Sequence, residues 1–251
     1  MRIVVKIGGS VLNSLETASW LHDVQSLVAD RHHLMIVHGA GSLITEALAR
    51  HHVATGFVNG QRVTTAEVIK DVIREMRGTA SMTVVSLCRQ MGISAVGLSG
   101  ADGEIFDAER IDESLGLVGR VAAVRPQLLE KLWSLNMLPV ITPVAPDIQT
   151  GQLLNLNGDW AASGLAQKLG ASVLLFYTDT GGVRWDRSDP DSLMREITVR
   201  QAQELIDQCR VAAGMIPKVQ SAVEAVVNGV EKVGIGRWFE PTMTTWVVRG
   251  E

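Results

Sequence analysis

The feature that most constrains this chain is an apolar strand near the amino terminus that ends in two glycines. Residues 3–5 are apolar and β-branched, as expected of a strand that is covered on both faces of a sheet. Lys6 follows them, and Gly8 and Gly9 lack the side chains that would keep a ligand away from the backbone. A strand that brings a fixed positive charge and backbone N–H groups to one point can hold a phosphate. This stretch therefore predicts an anion site at the end of a buried strand.

Strands that end in glycine turns recur along the chain. Five turns combine glycine with polar residues after predicted strands: 8–10, 39–42, 99–103, 155–159 and 178–182. Apolar residues at helical spacing occupy much of the sequence between them. This alternation predicts an α/β fold, in which ligands bind at the carboxyl ends of the strands. We therefore expect the five turns to lie along one edge of the sheet.

Composition narrows the classes of function. Of the 251 residues 46% are apolar, which is enough for a large core, and the formal net charge of -4 argues against electrostatic binding to nucleic acid. No apolar run reaches the roughly 18 residues of a membrane span, and the amino terminus shows no signal-peptide pattern. Cys88 and Cys209 lack metal-ligand spacing, so we predict no protein-bound metal and interpret both as reduced thiols of a cytoplasmic protein.

The middle of the amino-terminal half carries local structural signals. Asn-Gly between short β-prone runs predicts a hairpin over residues 57–63, with Arg62 on its returning arm. Thr64 and Glu67 have the spacing of a capping box at the start of a helix. Gly78 is predicted to interrupt that helix, because glycine is unfavourable in helix interiors.

Five motifs together resemble the amino acid kinase family, and within it most closely the N-acetylglutamate kinases. They are Val-Lys-Ile-Gly-Gly-Ser from Val5, Val-His-Gly-Ala-Gly-Ser from Val37, Asn-Gly-x-Arg-Val-Thr from Asn59, Asn-x-Asn-x-Asp-x-x-Ala from Asn155 and Gly-Met-x-x-Lys-Val from Gly214. The resemblance covers essentially the whole chain, in order and with compatible spacing. The first motif alone would indicate only the superfamily, whereas the later motifs are much more specific.

This resemblance implies an open αβα sandwich with a mainly parallel central sheet. It implies an amino-terminal lobe, residues 1–170, that binds the acyl substrate and forms a homodimer. A carboxy-terminal lobe, residues 171–251, would bind ATP. Arginine-inhibited hexameric members carry an additional amino-terminal helix, and this chain begins at its first strand, so we expect neither the hexamer nor the feedback inhibition.

The resemblance also implies roles for individual residues. Catalysis would involve Lys6, Gly9, Gly39, Ala40, Asp159 and Lys218. The acyl substrate would be held by Gly39, Ala40, Gly41, Arg62, Asn155 and Asn157. ATP would be held by Lys6, Gly8, Gly9, Ser10, Thr178, Asp179, Gly181, Gly182, Met215 and Lys218. Mg²⁺ would arrive on the nucleotide phosphates.

The implied reaction is transfer of the γ-phosphoryl group of ATP to the side-chain carboxylate of N-acetyl-L-glutamate, in arginine biosynthesis. Two anions have to meet, so positioning and positive charge lower the barrier. The accepting carboxylate is already ionised at neutral pH, so no general base is required. Lys6 would contact the transferred group, Lys218 would neutralise charge toward the leaving ADP, and Asp159 would fix the direction of both lysines.

Several alternatives depend on the glycine turns. Ala40 stands where N-acetylglutamate kinases usually have glycine, and it can present its N–H only at negative φ. The same turn occurs in isopentenyl phosphate kinases, but Leu43–Glu46 lacks the catalytic histidine that follows it there. Residues 97–103 resemble kinases for glutamate or aminoadipate linked to an amino-group carrier protein, which is the main alternative. A nucleotide- or amino-acid-sensing homologue is the non-enzymatic alternative, and the complete set of two lysines and one aspartate argues against it.

Overall fold

The structure, a computed structural model, describes residues 1–9, 17–58, 60–178, 181–186, 189, 191–208, 211 and 215–250. Ser10 and Asp179, which are predicted to contact ATP, lie outside the described residues, as does Cys209. Cys88 is a free, buried cysteine.

The strands alternate with helices along most of the chain. The strands are β1 Arg2–Ile7, β2 His33–His38, β3 Phe57–Val58, β4 Gln61–Arg62, β5 Ala95–Ser99, β6 Phe106–Arg110, β7 Val118–Val124, β8 Leu138–Thr142, β9 Val144–Pro146, β10 Leu153–Leu156, β11 Val173–Tyr177, β12 Glu196–Thr198, β13 Lys232–Gly236 and β14 Thr245–Val248. The α-helices of the described residues are α1 Thr17–Ala29, α2 Gly41–Arg50, α3 Val68–Ile73, α4 Ser81–Gln90, α5 Gln127–Ser134, α6 Gly158–Leu169, α7 Val199–Asp207 and α8 Ile216–Val227. A π-helix, Arg74–Ala80, joins α3 to α4, and short 3-10 helices span Asp102–Glu104, Glu113–Leu115 and Pro241–Met243. Within the described ranges, no helix combines the length and the apolar character that crossing a membrane requires.

An eight-stranded sheet forms the centre of the fold, in the order β12-β14-β13-β11-β1-β2-β8-β5. The six strands from β13 to β5 run parallel. β14 pairs antiparallel with β13, and β12 pairs parallel with β14. The predicted mainly parallel α/β sheet is therefore confirmed, and the carboxyl ends of β11, β1 and β2 lie side by side.

The central strands are covered on both faces. Successive residues of β1, β2 and β11 are buried, rather than alternate ones. Because neighbouring side chains of a strand point to opposite faces, both faces of the sheet lie against other elements. α6 packs against β1 and β11, and α1 packs against β2. This burial is what the sequence of residues 3–5 predicted, and it agrees with the expected αβα layers.

A second sheet, of order β6-β7-β10-β9, lies beside the first and was not predicted as such. β10 pairs parallel with β7 and antiparallel with β9. The turn at 155–159 therefore follows a strand of this second sheet rather than a strand of the central sheet. α6 begins in that turn and packs against both β7 and β1, which brings the turn to the central sheet.

The predicted helix break at Gly78 is absent, because a π-helix carries the chain continuously from α3 into α4. This segment packs closely on β5. A Cβ added to Gly97 would lie 2.5 Å from the Ser81 Oγ and 3.2 Å from the Arg77 Nη1. Tertiary packing therefore overrides the weak tendency of Gly78 to interrupt a helix.

The predicted capping box at Thr64 is also wrong. Thr65, one residue later, accepts a hydrogen bond from the Val68 N–H through its Oγ1 at 3.2 Å, and Glu67 makes no side-chain cap. Thr64 itself is fully buried and forms a β-bridge with Gly116. The returning arm of the hairpin thus stays extended through Thr64, and this delays the start of the helix.

Candidate active site

Two glycine turns meet at the carboxyl ends of the adjacent strands β1 and β2. The Gly39 N–H donates a hydrogen bond of 3.0 Å to the Ile7 carbonyl. A Cβ added to Gly9 would lie 3.1 Å from the Gly41 nitrogen and 3.3 Å from the Ala40 Cα. Glycine at position 9 permits an approach of the two backbones that a larger residue would obstruct. The predicted phosphate turn and the predicted acyl-substrate turn are therefore in direct contact.

The N–H groups of the second turn differ in what they can bind. Because the Gly39 N–H donates to Ile7, it is not free for the phosphoryl or carboxyl oxygen that the resemblance assigned to it. Ala40 and Gly41 open α2, where N–H groups have no acceptor within their own helix. Ala40 has a negative φ, -149°, so it meets the condition under which alanine can replace glycine and still present its N–H.

Asp159 joins two lysines that come from distant parts of the chain. Its Oδ1 lies 2.7 Å from the Nζ of Lys6 in β1, and its Oδ2 lies 3.1 Å from the Nζ of Lys218 in the first turn of α8. The Lys6 and Asp159 side chains are 9% and 8% exposed, and the Lys218 side chain is 21% exposed. One carboxylate between two ammonium groups leaves an excess positive charge, which suits an anionic ligand.

Burial and the opposite charges of neighbouring groups shift the pKa values of Lys6 and Asp159 in opposite directions. Burial lowers the pKa of Lys6, and Lys218 lowers it further, whereas Asp159 opposes both effects. Burial by itself would raise the pKa of Asp159, but the two lysines hold the pKa below its usual value. Asp159 is therefore ionised at neutral pH, and it stabilises the charge of Lys6 in a buried position.

The start of α6 determines where Asp159 points. Asn157 caps this helix, because its Oδ1 accepts hydrogen bonds from the N–H groups of Asp159 at 2.8 Å and Trp160 at 3.3 Å. The helix start packs directly on Lys6, since a Cβ added to Gly158 would lie 3.2 Å from the Lys6 Cε. Asn157, predicted to hold the substrate, thus uses its amide oxygen to hold the helix that carries Asp159.

Asn157→Ala should therefore affect both stability and turnover. Loss of the cap should lower the free energy of unfolding by about 1 kcal/mol, measured by urea denaturation. Thr198→Ala, which removes the cap of α7, is the matched control. We expect both variants to lose similar stability and only Asn157→Ala to lower kcat. Equal kcat values for the two variants would contradict a positioning role for this cap.

Arg62 is a buried cation for which the described residues provide no carboxylate partner. Its Nη2 donates to the Gly41 carbonyl at 3.1 Å and to the Thr45 Oγ1 at 2.7 Å. Its buried Nη1 has no hydrogen-bond partner among the described residues, and its guanidinium carbon lies 4.6 Å from the centre of the Phe57 ring. Burial lowers the pKa of the guanidinium, and no neighbouring carboxylate offsets this. A guanidinium with a free buried donor is suited to bind a carboxylate.

Asn155 is linked through Thr64 to the backbone of Arg62 and also has an unused polar atom. Its Nδ2 donates to the Thr64 Oγ1 at 3.0 Å, and Thr64 donates its hydroxyl to the Arg62 carbonyl at 2.8 Å. The Asn155 Oδ1 is buried and finds no hydrogen-bond partner in the described part of the chain. Arg62 and Asn155 thus each have one buried polar atom that no described residue satisfies.

Comparison with known proteins assigns the family. The sequence model of the amino acid kinase family matches residues 1–237. The chain belongs to the amino acid kinase family.

Relatives within this family are similar over nearly the whole chain. The acetylglutamate kinase of Geobacillus stearothermophilus is 40% identical over 234 residues, which cover 93% of this chain and 88% of that protein. The chloroplastic acetylglutamate kinase of Arabidopsis thaliana is 37% identical over 236 residues, which cover 93% of this chain and 68% of that protein. The crystal structure of smu.665 from Streptococcus mutans UA159 is 28% identical, has a TM-score of 0.89 and matches 99% of both chains.

Among the described residues predicted to bind ATP in this amino acid kinase, Thr178 directly follows β11. The buried Thr178 donates its N–H to the Gly236 carbonyl at 3.3 Å. Gly181 has φ +76°, and a Cβ added to Gly182 would lie 2.4 Å from the Thr245 Oγ1. Met215 precedes α8, the helix that carries Lys218. Glycine is thus required at 181 by the backbone conformation and at 182 by close packing.

Two residues of the site were not found by sequence reasoning. Thr45 contacts Arg62. Thr64, which was interpreted as a helix cap, instead holds Asn155. For Thr45 the available signal was its position four residues after Gly41, since residues four apart share a helix face. His38, expected to be structural, is fully buried, lies 3.2 Å from the Thr142 Oγ1 through its Nε2, and has a pKa that burial lowers to about 4.

Proposed function

We propose that this amino acid kinase transfers the γ-phosphoryl group of ATP to the side-chain carboxylate of N-acetyl-L-glutamate, in arginine biosynthesis. The observation that carries the proposal is the buried Asp159 carboxylate held between Lys6 and Lys218. The names and similarity of the acetylglutamate kinase relatives support this choice of substrate.

In the proposed reaction a carboxylate oxygen of the substrate forms a bond to the γ-phosphorus. The bond from that phosphorus to the bridging oxygen of ADP breaks, and ADP leaves with the electron pair. Lys6 balances negative charge on the transferred group, and Lys218 balances the charge that grows on ADP. Asp159 fixes the direction of both ammonium groups and removes no proton, because the acceptor is already ionised.

The acyl substrate would lie between the second glycine turn and the hairpin of β3 and β4. The N–H groups of Ala40 and Gly41 would bind the reacting carboxylate. Arg62 would bind the other carboxylate through its unpartnered Nη1, and Asn155 would use its free Oδ1 for the polar end of the substrate. This arrangement divides the two carboxylates of the substrate between two different groups of donors.

ATP would bind along the carboxyl ends of β1 and β11, against Gly8, Gly9, Thr178 and Met215, with its phosphates directed toward the lysines. Among the described residues no three His, Cys, Asp or Glu side chains lie close enough together to hold a metal ion. We propose that Mg²⁺ is held mainly by the phosphates, as is common for this ion. It would add positive charge to that of the two lysines.

We also propose that residues 1–170 form the acyl-substrate lobe and the homodimer contact, and that residues 171–251 form the ATP lobe. The proposed protein works in the cytoplasm, where a thiol such as that of Cys88 stays reduced. Sedimentation at several protein concentrations tests the dimer, because a monomer at all concentrations would exclude it.

The proposed function is tested by trapping the product with hydroxylamine. Purified protein receives MgATP and one of N-acetylglutamate, glutamate, aspartate or N-acetyl-aminoadipate at matched concentrations. An acyl phosphate forms a hydroxamate, so the signal reports phosphorylation of a carboxylate. We expect strong turnover of N-acetylglutamate alone. No turnover with any of the four, but with ATP bound, would overturn the proposal and favour a carrier-linked substrate or a sensing role.

Arg62→Ala should raise the KM for N-acetylglutamate by about 10- to 100-fold, because charged hydrogen bonds to a carboxylate are lost. The KM for ATP should change little. The matched control is Arg120→Ala, which removes an exposed arginine paired with Glu109. A rise in the KM for ATP instead would place Arg62 on the nucleotide side and contradict the assignment.

A further inference from the structure

We propose that Thr45 is a positioning residue that fixes the direction of Arg62 toward the acyl substrate; this rests on the proposed function. Thr45 lies one turn into α2, and its Oγ1 donates to the Gly41 carbonyl at 2.9 Å. The same oxygen accepts the Nη2 of Arg62 at 2.7 Å. Its single proton is used on Gly41, so the oxygen faces the guanidinium as an acceptor.

The contact explains how a buried guanidinium is oriented although the described residues provide no counter-ion for it. Both hydrogen bonds of the Arg62 Nη2 end on α2, at Gly41 and Thr45, and the Phe57 ring lies against the guanidinium. These contacts leave the Nη1 buried and unpartnered. A neutral hydroxyl fixes the plane of the guanidinium but leaves its charge for an arriving anion, whereas a carboxylate would neutralise that charge.

Thr45 also couples the two ends of the proposed acyl site. α2 begins with the turn whose Ala40 and Gly41 N–H groups would bind the reacting carboxylate. By holding Arg62 on the first turn of the same helix, Thr45 fixes the separation between those donors and the Nη1. A dicarboxylate of the matching length benefits from this fixed separation, because less orientation is lost on binding.

The test compares Thr45→Val with Thr45→Ser. Valine keeps the shape and removes the oxygen, so the KM for N-acetylglutamate should rise about threefold to tenfold. The KM for ATP and kcat should stay within twofold, and serine should restore the wild-type KM. Thr45 is exposed, so loss of packing does not account for such a rise. The matched control is Thr83→Val, since Thr83 makes the same bond to a carbonyl four residues earlier, that of Thr79.

A double variant separates positioning of Arg62 from a direct role. If Thr45 acts through Arg62, then Thr45→Val adds nothing to the KM of Arg62→Ala. Additive effects of the two changes would overturn the proposal. An unchanged KM in Thr45→Val, or failure of serine to restore the KM, would overturn it as well.

A measurement on the substrate-free protein tests the positioning of Arg62 separately from the proposed function. In ¹⁵N NMR of arginine side chains, the Arg62 signals are assigned by their absence in Arg62→Ala. We expect separate Nη signals in the wild type and in Thr45→Ser, and averaged signals in Thr45→Val. Averaged signals in the wild type would overturn the positioning role, even if N-acetylglutamate is phosphorylated. Separate signals that average only in Thr45→Val would support it, even if the acceptor proves to be another carboxylate.

Discussion

Lys6→Ala should lower kcat by about 100- to 1,000-fold, because the variant loses a positive charge fixed at the transferred group. ATP affinity should fall much less, since Lys218 and the backbone of the glycine turns remain. Single-turnover rates with saturating MgATP and N-acetylglutamate measure the first effect, and equilibrium binding of the nucleotide measures the second.

A matched control for this variant is available in α6. Lys168→Ala removes an exposed lysine from the last turn of α6, the helix that begins next to Asp159. Its kcat should remain at the wild-type value. Wild-type turnover in Lys6→Ala, with the free energy of unfolding preserved, would contradict the assigned role of this lysine.

Asp159→Asn should also have a large effect. It should lower kcat, lower the free energy of unfolding and change the pH dependence of kcat. The change leaves the buried Lys6 facing Lys218 without a carboxylate, and breaking a buried ion pair costs roughly 3 kcal/mol of unfolding free energy. kcat should fall by about 100-fold or more, because the lysines lose their fixed direction.

The pH dependence identifies the cause of this loss. Burial and Lys218 already lower the pKa of Lys6, and only Asp159 opposes them. Without Asp159 the pKa falls further, so Lys6 loses its proton at a lower pH than in the wild type. The kcat of Asp159→Asn should therefore recover partly as the pH is lowered, because protonation restores the ammonium group.

Asp147→Asn is the control for removal of a buried carboxylate. Asp147 is buried and accepts hydrogen bonds from Gln149, Thr150 and Arg110, and it contacts neither lysine. This control should lose stability without any new pH dependence of kcat. A pH profile of Asp159→Asn parallel to that of the wild type would show that Asp159 does not maintain the charge of Lys6.

Sequence reasoning predicted several residues that the structure brings together in the candidate site, because their residue types are tied to local geometry. Gly9 permits the contact with the second turn, and Lys6 lies one residue before the end of a strand whose β-branched residues require burial. Sequence reasoning failed where contacts with another secondary-structure element decide the local backbone conformation. Gly78 lies in a π-helix packed on Gly97, and Thr64 is held extended by its bridge to Gly116 instead of capping a helix.

The sequence by itself determined the parallel α/β pattern, the glycine turns and the family motifs, since all of these depend on side-chain size and on spacing along the chain. Only the tertiary structure decided which polar atoms are used and which remain free. It showed the Gly39 N–H donating to Ile7, the Asn157 oxygen capping α6, and the Arg62 Nη1 buried without a partner. Hydrogen bonds depend on distances of a few tenths of an ångström between elements that are remote in sequence, so spacing along the chain cannot assign them.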